Sequence, residues 1–139
     1  MLREALSEVE GVVFRTVPEG GVENYSFLNF FLPTAAIAEK AQKALTEAGV
    51  DGCFYWFKNN WHYINGWEHL RNLKGMGNLP KEIQEQMQDL NNTPFPQSDH
   101  WMGRTISCLV KLSWTEAQTM ERASKLRTVV QEVLQTTPV

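Results

Sequence analysis

The stretch Asn24-Tyr25-Ser26-Phe27-Leu28-Asn29-Phe30-Phe31-Leu32-Pro33-Thr34 decides how the rest of the chain must be arranged. Apolar residues fall on both alternating faces of 24–32, the pattern of a central strand covered by structure on each side. Pro33 ends the strand because it has no N–H to give a ladder, and Thr34 is suited to cap a helix. In that helix Ile37, Ala41, Ala44, Leu45 and Ala48 share one face, while Glu39, Lys40, Gln42, Lys43 and Glu47 point away. Gly49 is a C-terminal stop. The aromatic run Val50-Asp51-Gly52-Cys53-Phe54-Tyr55-Trp56-Phe57 then reads as a further strand. Strand, helix and strand in this order imply a parallel pairing with a right-handed crossover.

Upstream, Val12 to Val17 is rich in β-branched residues and runs into the turn signal Pro18-Glu19-Gly20-Gly21. The opening Met1 to Glu8 places Leu2, Ala5 and Leu6 on one helical face with no capping residue before them, so it reads as the second half of a helix begun upstream. Downstream, Arg104 to Leu112 gives a fourth strand. Ser113-Trp114-Thr115-Glu116 and the pair Thr115 and Gln118 both match a capping box. A long helix follows, with Met120, Ala123, Leu126, Val130, Val133 and Leu134 as its buried stripe.

Between the third and fourth strands the pattern loosens. Trp61, Ile64, Trp67, His69 and Leu70 suit one amphipathic helix and Lys81 to Leu90 another, but Gly75, Gly77, Pro80, Pro94 and Pro96 break the segment. Residues 58–100 are therefore an irregular helical insert, of a length more often functional than merely connecting. The sum is a single domain over residues 1–139 of the α+β class, an α/β sandwich with a small mixed sheet of about four strands and helices on one face.

With 42% apolar and 21% charged residues, the chain has the composition of an ordinary globular domain. Its net charge of -3 comes from interspersed acids and bases, which argues against a nucleic-acid surface. Single-stranded RNA binding by exposed aromatics would need a basic groove as well. No run approaches the roughly 20 apolar residues that cross a bilayer, and no signal peptide opens the chain. Cys53 and Cys108 lie in separate strand-like runs, outside any CxxC or Cys/His cluster, so each reads as a small buried hydrophobe in a reducing cytoplasm and zinc is not expected.

The chemistry-bearing motifs are few. Gly75-Met76-Gly77 is followed by Asn-Leu-Pro, which defeats a phosphate-binding loop, and neither GxSxG nor HExxH occurs. His62 and His69, with Glu68, supply too few converging donors for a metal. The run Phe54 to Tyr63 combines rigid aromatics with polar side chains, either as a ligand surface or as a packed core edge. Arg104, after His100-Trp101-Met102-Gly103, has the planar fork that grips a carboxylate, against the plainer reading of a strand-end arginine or an internal ion pair.

Several phrases resemble the small C-terminal domain of DegT/StrS-type sugar aminotransferases, a branch of the fold-type I enzymes that use pyridoxal phosphate (PLP). They are the aromatic strand Tyr25 to Leu32, the helix ending Leu45-Thr46-Glu47-Ala48-Gly49-Val50, the segment Phe57-Lys58-Asn59-Asn60-Trp61-His62, and the closing strand and helix from Ile106-Ser107-Cys108-Leu109-Val110 to Leu112-Ser113-Trp114-Thr115-Glu116-Ala117-Gln118. The middle segment stands where the family has a Tyr-Pro-Pro-Leu-His-like phrase, and its tyrosine and prolines are not found here. The proline of the family's final strand phrase is also missing.

The resemblance implies a parent polypeptide that transfers an amino group from glutamate to a keto-sugar, nucleotide-linked or acidic. It implies PLP bound by a large domain outside this chain, and a cytoplasmic homodimer. Arg104, Phe57, Trp61 and His62 become the expected substrate-binding residues, with Gly103-Arg104 gripping the α-carboxylate of the donor. No catalytic residue is expected within the chain. None of Lys40, Lys43, Lys58, Lys74, Lys81, Lys111 or Lys125 stands in the Ser-(few residues)-Lys context of an aldimine lysine, so this chain alone is expected to be inactive. The alternative is a free-standing α+β module that binds a small ligand or a protein through its aromatic insert.

Overall fold

In a computed structural model of the protein, describing residues 1–59, 61–72, 77 and 80–138, the turn at Pro33 and Thr34 does what its residue types dictate. Asn60, Lys74 and the Gly75-Met76 pair lie outside the described residues. Strand β2 (Phe27–Phe31) ends just before Pro33, and helix α2 (Ala35–Glu47) begins with the Thr34 hydroxyl accepting the Ile37 N–H at 3.2 Å. The helix closes in a Schellman arrangement. Gly49 takes φ 73°, its N–H reaches the Thr46 carbonyl, and the Val50 N–H reaches that of Leu45.

The sheet has four strands in the order β1-β2-β4-β3, with β1 Val13–Phe14, β3 Cys53–Phe54 and β4 Thr105–Leu109, and every pairing is antiparallel. The α+β class with helices against a small sheet stands. The parallel pairing and the mixed sheet expected from strand, helix and strand do not. Strands β2 and β3 both run antiparallel to β4, hence parallel to each other, but β4 is inserted between them. The reason lies in β4, in which Thr105, Ile106, Ser107 and Cys108 are all buried. The strand with the most to shield takes the most shielded place.

Helices cover one face of the sheet. Helix α1 (Leu2–Ser7) and α2 pack on the long α6 (Glu116–Thr136), and Leu6, Phe30, Leu32, Ile37, Leu45, Ile106, Leu126 and Val130 are fully buried between these helices and the sheet. Of the two possible caps the chain uses the second. The Gln118 N–H donates to the Thr115 hydroxyl at 3.3 Å, and the Gln118 side chain accepts the Thr115 N–H at 2.9 Å. Ala123, Leu126, Val130 and Val133 are buried as their spacing predicts, but Met120, which the stripe includes, is 59% exposed, and Arg122, which it leaves out, is buried. Among the described residues no helix is long and apolar enough to cross a membrane.

The insert is less regular than its periodicity suggests. Tight 3-10 turns span Trp56–Lys58 and Ile64–Gly66, helix α3 (Glu68–Arg71) is a single turn, and α4 (Lys81–Asn92) fulfils the second helical expectation. Helix α5 (Pro96–Arg104) then runs straight into β4, so Arg104 ends a helix and does not open a strand.

Candidate functional site

Among the described residues, no layer of helices covers the second face of the sheet. On β2, Leu28 and Phe30 belong to the helix-covered core, while Phe27, Asn29 and Phe31 point to the other side. Thr105 and Ser107 of β4 extend that side. Trp56 and His62 close it at one end, Trp101 and Met102 of α5 close it at another, and Arg15 stands beyond β1. Together they enclose a cleft of about 480 Å³.

Its walls are aromatic and its floor is polar. Phe54 and Trp56 stack with centroids 4.6 Å apart, Phe27 meets both edge-on at 6.4 Å, and Phe31 meets Trp101 edge-on at 4.9 Å. Trp61 lies parallel to Trp56 at 6.4 Å, and the His62 ring stands against Trp56 at 4.7 Å. On the floor the Ser107 hydroxyl donates to the Asn29 carbonyl oxygen at 2.6 Å, and the Asn29 amide N–H groups have no partner among the described residues. At the margin the Arg15 and Arg3 side chains both donate to Glu23, and these arginines hold its carboxyl below the usual range.

The rim has its own supports. Trp61 follows an Asx-type turn in which its N–H donates to the Asn59 side chain at 2.8 Å, and His62 takes φ 61°, a left-handed conformation histidine tolerates better than most residues. Tyr63 is buried, and its hydroxyl donates to Asp99 of α5. Asn65 donates to the same carboxylate at 2.6 Å and receives Arg71 at 3.1 Å. Burial, reinforced by the adjacent Asp99 carboxylate, pushes the Tyr63 phenol up to about 12. Tyr55 donates to the Gly103 carbonyl at 2.8 Å. Two tyrosines thus pin the aromatic segment to α5 from beneath.

Of the four residues singled out from sequence, the fold places His62 in the cleft lining, sets Trp61 outside it on the exposed rim against Trp56 and His62, and leaves the other two outside its walls. The Phe57 ring stacks on Tyr63 at 5.5 Å and lies beside Gly103. Arg104 donates its Nε–H to the Leu32 carbonyl at 2.6 Å, reaches His100 Nε2 at 2.7 Å with Nη1, and spreads its guanidinium over the Trp101 ring at 5.3 Å. It braces a cleft wall from behind. The sequence pattern does not single out Asn29, Ser107 or Trp101, and it reaches Trp56 only as part of the aromatic run Phe54 to Tyr63. The available signal was the doubly apolar pattern of 27–31 with one asparagine in its middle.

The six described lysines, Lys40, Lys43, Lys58, Lys81, Lys111 and Lys125, are all exposed, and none lines the cleft. An aldimine lysine needs a sheltered amine beside its carbonyl partner, so the described residues of this chain do not fit PLP by themselves. Among the described residues no group of three or more His, Cys, Asp or Glu side chains converges as metal ligands would. Fold and site together define an open-faced α+β sandwich with an aromatic-walled, polar-floored cleft on its bare face. No protein-family model matches the chain.

Proposed function

We propose that this chain shapes the substrate pocket of a PLP-dependent aminotransferase that moves an amino group from glutamate to a keto-sugar, with its bare sheet face turned toward a domain that holds the cofactor. The observation that carries the reading is the composition of the cleft. Flat rings at Trp56 and Trp101, with the exposed Trp61 on the rim beside Trp56, offer surfaces for the C–H faces of a sugar, and Asn29 and Ser107 offer hydrogen-bonding groups for its hydroxyls. Arg15 at the margin suits a negatively charged sugar, acidic or nucleotide-linked. The phrases that resemble DegT/StrS-type small domains support the choice of reaction class. In this reading the parent enzyme is a cytoplasmic homodimer, and the chain supplies binding and exclusion of water while PLP, held elsewhere, would supply the electron sink.

A free-standing module that binds a ligand through its aromatic segment is the second reading, favoured by the rings of Trp56, Trp61 and His62 gathered at one end of the cleft. Two titrations separate the readings. With PLP alone, the chain should develop no saturable visible band of an internal aldimine, and a band removed by substituting one lysine would overturn the division of labour. With a nucleotide-linked keto-sugar, tryptophan fluorescence should change saturably, and the change should be lost in Trp56→Ala. A cleft indifferent to the sugar but saturable by an unrelated small ligand would decide for the module.

A further inference from the structure

Cys53 and Cys108 are register partners on the adjacent antiparallel strands β3 and β4, with their sulfurs 2.6 Å apart. The Leu109 N–H bonds to the Gly52 carbonyl, so the neighbouring pair 52 and 109 is the hydrogen-bonded one, and 53 with 108 falls at a non-hydrogen-bonded site. There the Cα atoms of facing strands approach to about 4.5 Å, inside the range that a disulfide bridges without moving the backbone. Strand β3 is also the sheet edge, and Cys53 keeps 6% exposure where Cys108 has none.

The charges nearby are asymmetric. Arg122 Nη2 lies 3.9 Å from the Cys53 sulfur, its guanidinium is held over the Trp114 ring at 4.6 Å, and Nη1 donates to Asp51 at 2.8 Å. Lys111 binds the same Asp51 carboxylate at 3.0 Å. A hydrogen bond from the Cys108 thiol, helped by the Arg122 charge and opposed by burial, moves the Cys53 thiol down. The same neighbour together with burial pushes Cys108 well up.

We propose that Cys53 and Cys108 form a redox-active pair that hydrogen peroxide closes, reversibly, into a cross-strand disulfide. The Cys53 thiolate attacks a peroxide oxygen, the O–O bond breaks, and hydroxide leaves, giving a sulfenic acid. The Cys108 sulfur then attacks the Cys53 sulfur and expels the sulfenic oxygen as water. In sum, two thiols and one peroxide become one disulfide and two waters, with the sulfurs giving up two electrons. The bond would enclose the chain between two residues 55 positions apart, including the aromatic segment, the insert and α5. It would also clamp β3, whose Phe54 stacks on the cleft residue Trp56.

The test treats the folded full chain with a small molar excess of hydrogen peroxide, quenches with acid, and follows thiol count, intact mass, peptide map and thermal unfolding. The expected product has lost both thiols and the mass of two hydrogens, yields a linked peptide containing Cys53 and Cys108, unfolds roughly 10 °C higher, and reverts with dithiothreitol. Cys108→Ala should instead gain oxygen atoms at Cys53, and Cys53→Ala should leave Cys108 largely unreacted. Two thiols persisting in the wild type, oxygen added to either sulfur without linkage, or a linked form that unfolds no higher than the reduced one would each overturn the proposal.

Discussion

The two faces of the five-residue strand β2 differ in what covers them. Toward the helices β2 presents Phe30, fully buried against α2 and α6, whereas the opposite side presents Phe27, 37% exposed, around the polar Asn29. Both sides look alike in a hydropathy pattern. The difference teaches that an apolar face specifies a need for cover without saying what supplies it. On one face the chain supplies helices, and on the other it leaves rings whose ordering relies on one another and on the rim.

The sharpest way to break the comparison is to truncate one phenylalanine on each side. Phe30→Ala should lower unfolding free energy by about 3–5 kcal/mol, the usual result of emptying a filled core position, while Phe31→Ala should cost less than half as much. Urea unfolding of both variants measures this directly. Equal losses would mean that the bare face is packed as tightly as the core. The next largest effect concerns the brace behind the cleft. Arg104→Ala removes a charge-assisted hydrogen bond to the carbonyl of the fully buried Leu32 just past β2, so a loss of roughly 1.5–3 kcal/mol is expected, and Arg104→Lys, which lacks the planar fork, should recover only part of it.

What could be read from the sequence follows the range of each interaction. Thr34, Gly49 and the Thr115 and Gln118 pair act within one helical turn, and the structure uses all of them as their residue types require. Strand order was not legible in the same way. Leu28 meets Cys108 across 80 residues of chain, and no local pattern announces that β4 slots between β2 and β3. Arg122 is buried because Asp51, far away in sequence, accepts its guanidinium, a pairing no helical stripe encodes.

The site was half legible for a related reason. Read as a strand, Phe54 to Phe57 would alternate simply, but the turn at Trp56–Lys58 rotates successive side chains by about 120°. Trp56 therefore reaches the cleft while Phe57 packs on Tyr63. The residue types put Arg104 at the start of a strand, but α5 continues to the residue before β4, because the turn from helix to strand is made by pairing across the sheet and not by a local signal.

The Tyr63 anchor gives a smaller effect with a defined pH signature. Its phenol keeps its proton to about 12 in the folded chain, against about 10 for an ordinary tyrosine, so between those values the folded state binds more protons than the unfolded one. Stability from this group is therefore complete below about pH 10 and is lost as the pH rises through about 12. Tyr63→Phe should cost roughly 1–2 kcal/mol near neutrality and should remove that part of the alkaline decline. Urea midpoints measured for both proteins across the alkaline range would show parallel curves if Tyr63 were not the group responsible.

The smallest effect on stability should come from the most prominent ring. Trp61 is 62% exposed, touches Trp56 and His62, and follows an Asx turn that depends on the Asn59 side chain. Trp61→Ala removes little buried area and breaks no side-chain hydrogen bond among the described residues, so unfolding free energy should change by no more than about 0.5 kcal/mol. If the bare face exists to meet a ligand, the same change should weaken fluorescence-detected binding of a nucleotide-linked keto-sugar by roughly tenfold, a typical loss for one stacking ring. The two numbers move independently only when a side chain serves recognition and not folding. Loss of stability without loss of binding would assign Trp61 to the packing of its neighbours, and the contrast between the two faces of β2 would then rest on Trp56 and Trp101 alone.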